Sequence, residues 1–220
     1  MHVEVIPTSE LPGRVAVWFA DHIWSAIAER GAAHVAVSGG STPAPAFAAL
    51  AQLPLRWGSV HVWQVDERIA PDGDAARNAN QLRVLADAGA QVHLYDVADA
   101  DSERAAITYA GDLHVACKGV LDVVHLGLGA DGHTASWPPG DPVIAVEDRD
   151  VAVSQPYQGR VRLTLTRPAV NRARAICFLV AGADKAGPLA GLVRGDASLP
   201  ATGVRLDRAV CFADPAAAGR

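Results

Sequence analysis

Apolar positions along the chain switch repeatedly between two periods. Val15, Phe19, Ile23 and Ile27 repeat at helical spacing and predict a helix over residues 15–30. The run His34-Val35-Ala36-Val37-Ser38, ending in two glycines, predicts a buried strand. A helix with proline in its first turn follows over 43–50. The same alternation continues with a strand over 60–65, a Pro/Gly/Asp-rich loop over 70–76, and a helix over 78–86. A strand over 91–95 precedes a helix over 101–115, with Asp101 or Ser102 as its cap. Further strands are predicted over 121–128, 152–154, 162–166, 175–181 and 210–213, and a helix over 184–194. Strands alternating with helices imply an α/β fold, a three-layer sandwich with a largely parallel central sheet. In such sheets ligands sit beyond the carboxyl ends of the strands, so residues that follow strands are the informative ones.

Composition narrows the classes. The chain has 220 residues, half of them hydrophobic and 20% charged, which is a globular and not a disordered balance. No repeat, charge run or flexible linker divides it, so residues 1–220 read as one domain. The formal net charge of −5 argues against a nucleic-acid partner bound through a basic surface. The longest apolar stretch, residues 175–183, is too short for a bilayer span of ~20 residues, so no membrane partner is expected. The first residues lack the pattern of a secretory signal. Three cysteines without close spacing (Cys117, Cys177, Cys211) read as reduced core thiols of a cytoplasmic protein. The eight histidines are scattered and form no metal-ligand motif, so neither a metal nor a cofactor is expected.

Three strand ends carry candidate chemistry. In Ser38-Gly39-Gly40-Ser41-Thr42-Pro43, two glycines permit close approach of backbone to a ligand, and a helix start with hydroxyls favours an anion. The stretch reads equally as a phosphate cradle or as an ordinary strand-to-helix turn. Asp66-Glu67-Arg68 ends an apolar strand. Three charges there are either the start of a solvated loop or a polar site. The third segment, Gly127-Leu128-Gly129-Ala130-Asp131-Gly132-His133-Thr134-Ala135-Ser136, fits the spacing of a dinucleotide fingerprint. Pro138-Pro139-Gly140, however, would stop the long helix that this fingerprint needs. Its glycines read instead as clearance for a small ligand beside Asp131 and His133. A lone histidine is more often structural, but the Asp-Gly-His setting points to proton transfer, with the carboxylate fixing the imidazole. Only two lysines occur among nineteen basic residues. One of them, Lys185, starts a helix, where a cation needs a compensating anion. Arg162 lies in an alternating strand and by itself reads as solvent-facing.

Together these segments, with Arg162-Leu163-Thr164-Leu165-Thr166 and Gly182-Ala183-Asp184-Lys185-Ala186, resemble the 6-phosphogluconolactonase family in content and order. The resemblance spans about residues 34–194. It implies a modified Rossmann-like fold of the sugar-phosphate isomerase/deaminase type. It also implies hydrolysis of 6-phospho-D-glucono-1,5-lactone in the oxidative pentose phosphate pathway. Carried onto this chain, His133 is the expected base and Asp131 its orienting carboxylate. Arg68 is the expected stabiliser of developing negative charge, and Asp66 holds sugar hydroxyls or Arg68. Gly39, Gly40, Ser41, Thr42, Arg162 and Lys185 are the expected phosphate holders. The partner is then a small phosphosugar lactone, bound by a monomer or small homo-oligomer. Two departures stand out. Trp137-Pro138-Pro139-Gly140 replaces the usual Leu-Phe-Pro-Gly, which would reshape the site wall, and Asn78 is all that remains of a Ser-Asn pair. A glucosamine-6-phosphate deaminase-like enzyme is the rival of the same fold, but residues 134–138 lack the carboxylate it needs. A sugar-phosphate sensor without turnover is the rival of another class.

Overall fold

The computed structural model describes residues 1–98 and 101–220. In chain order the elements are β1 (His2–Val5), α1 (Leu11–Arg30), β2 (Ala33–Val37), α2 (Ala44–Ala51), β3 (Val60–Gln64), β4 (Asp66–Arg68), α3 (Ala79–Asp87) and β5 (Gln91–His93). There follow α4 (Ser102–Cys117), β6 (Val123–Leu126), β7 (Val151–Val153), β8 (Arg162–Leu165), α5 (Arg167–Asn171), β9 (Ala175–Val180), α6 (Ala186–Arg194) and β10 (Ala209–Ala213).

Seven strands form one sheet in the order β1-β10-β9-β6-β2-β3-β5, and every neighbouring pair in it is parallel. Alternation along the strands builds the three layers. Val35 and Val37 of β2, and Cys177 and Leu179 of β9, face α1, α2 and α3. Ala36 of β2, and Ile176, Phe178 and Val180 of β9, face α4 and α6. Both faces are apolar because both are covered, the usual condition of a parallel sheet. From β2 the chain winds outward through β3 to β5, and from β6 it winds the other way through β9 and β10. The two central strands β2 and β6 therefore flank a switch point, and the crevice beyond their carboxyl ends is where such folds bind ligands.

A second, three-stranded antiparallel sheet, β4-β8-β7, was not expected from the pattern. Asp66-Glu67-Arg68 is a strand of it and not the start of a solvated loop. Two short elements were also missed: the edge strand β1 and the five-residue helix α5. The segment after β6 forms turns and no helix, as Pro138-Pro139-Gly140 required. Asp101 proves to be the cap of α4, its Oδ1 accepting from the N–H groups of Glu103 and Arg104 at 3.1 Å each. Cys177 and Cys211 are buried, whereas Cys117 is only partly so and is not a full core residue. No helix among the described residues is long and apolar enough to cross a membrane.

Candidate active site

One cleft of about 230 Å³ opens at the switch point. It is lined by the loop after β2 (Ser38 to Pro43), by Asp66, Arg68 and Asn78, by the turn after β6 (including Gly127, Gly129 and His133), by Arg162, and by Lys185. Five strands and the loops after them thus bring together every residue expected in the site except Asp131, which stands directly behind His133.

Local geometry explains how each group is held. His133 Nδ1 lies 2.5 Å from Asp131 Oδ1, and the same oxygen accepts the His133 backbone N–H at 3.2 Å. Tyr157 Oη donates to the other oxygen, Oδ2, at 2.7 Å. Partial burial works to raise the Asp131 pKa, but the hydrogen bonds from Tyr157 and His133 outweigh it and carry the carboxyl down to about 2. Asp131 is therefore an anion near neutrality and can only accept. Nδ1 of His133 must carry the proton, which leaves Nε2 as the basic nitrogen. Gly129 makes this pairing possible, since a Cβ there would stand 2.0 Å from His133 Nδ1 and 2.6 Å from Asp131 Oδ1. Of the three glycines only Gly127 faces open space. Gly132, at φ +82°, sets the turn.

The Asp-Glu-Arg strand divides its roles. Glu67 is fully buried and does not line the cleft. Its carboxylate accepts from Gln64 Nε2 (2.7 Å) and from the backbone N–H groups of Arg68 (2.8 Å), Asn78 (2.7 Å) and Ala79 (2.9 Å). It also pairs with buried Arg77 at 3.1 Å. It is thus a staple that caps the start of α3 from outside. Asp66 takes the Ser136 hydroxyl at 2.6 Å, and burial pushes its pKa up against that bond and against the charges of Arg68 and Arg162. Arg68 Nη1 donates to the Ala76 carbonyl and to Asn78 Oδ1, so Asp66 acts on it through charge and not as a bonded partner. Asn78 also donates to the Asp66 carbonyl at 2.8 Å, and it packs so closely on Gly39 that a Cβ there would meet its Oδ1 at 2.1 Å.

Arg162 is 4% exposed, which corrects the solvent-facing reading. It sits directly across from Arg68 in the β4–β8 register, and both guanidiniums keep a buried Nε without a partner. Two adjacent cations with unsatisfied donors, facing a cleft, give it a positive wall with the chemistry to take an anion. Lys185 pairs with its neighbour Asp184 at 2.7 Å while lining the same cleft. In the first loop, the N–H of Ser38 goes to His125 Nδ1 (3.3 Å) and that of Gly40 to Gln81 Oε1 (2.5 Å), so the loop is braced on both sides. Trp137 is buried, with its Nε1 donating to the Leu165 carbonyl at 2.9 Å, and neither it nor Pro138 lines the cleft. The Trp-Pro departure therefore fills space behind the site and does not reshape its wall. Among the described residues no group of three or more His, Cys, Asp or Glu side chains is placed to hold a metal ion.

Sequence reasoning missed Tyr157. It starts a hairpin between β7 and β8 whose two central residues, Gln158 and Gly159, have φ of +52° and +78°. A glutamine in the left-handed region is uncommon. Here its Oε1 accepts from Arg162 Nη2 at 3.0 Å. The Gln-Gly pair was a legible turn signal, but nothing local linked that turn to Asp131.

By its fold and cleft the chain is an open parallel α/β protein with a cationic, His-bearing crevice at its switch point. The model of the glucosamine-6-phosphate isomerases/6-phosphogluconolactonase family matches residues 7–212, and the chain belongs to that family. Among its relatives, the 6-phosphogluconolactonase of Synechocystis sp. is 39% identical over 183 residues, covering 78% of this chain and 76% of its own. That of Streptomyces coelicolor is 35% identical, covering 90% and 85%. The crystal structure of 6-phosphogluconolactonase from Thermotoga maritima superposes with a TM-score of 0.87 at 27% identity, over 97% of this chain and 99% of that one.

Proposed function

We propose that this chain hydrolyses 6-phospho-D-glucono-1,5-lactone to 6-phospho-D-gluconate, with His133 as the base. The observation that carries the reading is the Asp131–His133 pair in one cleft with two guanidiniums whose buried Nε groups lack partners. Water attacks the lactone carbonyl carbon while His133 Nε2 takes its proton. The carbonyl electron pair moves onto oxygen, and Arg68 stabilises that charge. As the tetrahedral adduct collapses, the ring C–O bond breaks and the departing oxygen takes the proton back from His133. The acid so formed loses its own proton to solvent. Asp131 keeps Nδ1 protonated and steadies the imidazolium between the two transfers. Such acid–base catalysis supplies roughly 10²–10⁴-fold.

The phosphate does not react. Arg162, Lys185, the hydroxyls of Ser41 and Thr42 and the glycine backbone at 39–40 hold it, and its binding energy positions the carbonyl. Because Arg162 and Arg68 are cross-strand neighbours, phosphate and carbonyl share a continuous cationic wall. Asp66, rendered a weaker acid by burial, is suited to hold sugar hydroxyls.

The test is acid release from freshly made phosphogluconolactone, with the spontaneous rate subtracted, beside unphosphorylated gluconolactone. The phosphorylated lactone should turn over far faster at low concentration. Equal turnover of the two would remove the phosphate from the account. Ammonia release from glucosamine 6-phosphate without lactone hydrolysis would transfer the chain to the deaminase reading.

A further inference from the structure

Asp131 has two oxygens and both are spoken for. Oδ1 takes the two His133 N–H groups, and Oδ2 takes the Tyr157 hydroxyl. The dyad is otherwise lightly confined, since the Asp131 side chain is 37% exposed and sits on a turn. A carboxylate with one anchored oxygen can swing about its terminal torsion, whereas one anchored at both cannot. The Tyr157 ring stands edge-on to His133, with centroids 5.4 Å apart. The guanidinium of Arg162 lies 4.9 Å above the same ring. Gln158 ties the assembly together by accepting from Arg162, and Arg160 anchors the hairpin to Asp74 at 2.9 Å. Tyr157 itself does not line the cleft.

We propose that Tyr157 is a positioning residue that sets the hydrolytic dyad and the phosphate-binding cation against each other, its hydroxyl fixing Asp131 and its ring supporting Arg162. The inference rests on His133 being the base. The hydroxyl also draws charge from the carboxylate. Without it, Asp131 is a stronger partner for the imidazolium. The other charged groups about the dyad are Arg162 on β8, Arg68 and Asp66 on β4, and Lys185 at the head of α6. All of these remain in the variants below. The hydroxyl keeps its own proton strongly, because burial and then Asp131 push the Tyr157 pKa up to about 12.

Two substitutions separate the parts. Tyr157→Phe keeps the ring and should lower kcat roughly 10-fold, as expected for losing a hydrogen bond to a charged group, with KM nearly unchanged. Its acid limb of activity should move to higher pH. Tyr157→Leu also removes the support under Arg162 and should raise KM for the phosphorylated lactone in addition. A Tyr157→Phe enzyme with wild-type kcat and pH limb, or with its loss wholly in KM, overturns the proposal. A readout on the unmutated protein stands independently of how the variants fold. The Tyr157 ring-carbon NMR signal should not titrate up to pH 11, and ordinary titration near 10 would overturn the proposal as well. His133→Asn, assayed in parallel, distinguishes the two levels. If it keeps full turnover, the base assignment and this proposal both fall. If it is inactive while Tyr157→Phe is normal, only the role of Tyr157 falls.

Discussion

At the scale of single residues, the site depends on which atoms are absent as much as on which are present. Gly129 has no side chain because His133 and Asp131 occupy the space where one would be. Gly129→Ala should therefore push the dyad apart and lower kcat on the order of 10²-fold, with little loss of thermal stability. Gly127→Ala, whose Cβ would meet nothing within 4 Å, should leave kcat close to wild type and raise KM by intruding on the cleft. Equal kcat losses in the two variants, measured beside their melting temperatures, would contradict this assignment. The Asp131 carboxyl, held at about 2, contributes stability above the ordinary carboxylate range that is lost as pH falls through that value. Asp131 thus stays ionised between pH 7 and 5, and its own titration causes no change in activity there. Periodicity placed Asp131, His133, Arg68, Arg162 and Lys185 on or just after strands, but only the family resemblance tied Arg162 and Lys185 to the site, and Arg162 by itself read as solvent-facing. Tyr157 was not legible, because its bond to Asp131 joins residues 26 positions apart and needs the hairpin to be folded first.

At the scale of elements, β6 shows how a core strand also serves the site. His125 sits among Phe19 and Phe47, and its Nδ1 accepts from the Ser38 N–H, so it braces the loop that follows β2. Burial holds its pKa down at about 4, and His34 on β2 is likewise held to about 4 by burial and then by His61. Both are neutral when folded, whereas the unfolded chain takes up protons below about 6.5. Stability is thus intact at neutral pH and is lost as pH falls from 6.5 toward 4, by up to about 3 kcal/mol for His125. Asp66 acts in the opposite sense, since a raised carboxyl pKa favours the folded state as pH falls. Urea unfolding at pH 7 and pH 5 checks the sum, and His125→Gln should reduce the difference between the two pH values. An unchanged difference in that variant would mean that His125 titrates normally. The elements that the pattern did not reveal were hidden for two reasons. Nothing in the pattern marked Asp66-Glu67-Arg68 as the strand β4, because three charged residues carry no apolar period. The groups that satisfy buried Glu67 are Arg77 and the N–H groups at the start of α3, and they lie about ten residues further on. β1 and α5 are simply too short for a period to emerge.

At the scale of the whole molecule, the sheet order does the gathering. Reversal of winding at β2 and β6 opens one crevice, and the ends of β2, β6 and β9, together with the small β4–β8 sheet, deliver their polar residues into it. Alternation of strand and helix made the parallel sheet legible, but not the second sheet, whose pairing is long-range and whose strands have three or four residues. That sheet brings Arg68 and Arg162 side by side, so the continuity of the cationic wall could not be read from the chain. The central claim is that His133 performs proton transfer in a cleft that recognises the phosphate independently. The most direct measurement compares wild type with His133→Asn, following turnover of fresh phosphogluconolactone above the protein-free rate and, separately, the affinity for 6-phosphogluconate. Turnover should fall roughly 10²–10⁴-fold while product affinity changes little. A folded His133→Asn protein with near wild-type turnover would contradict it.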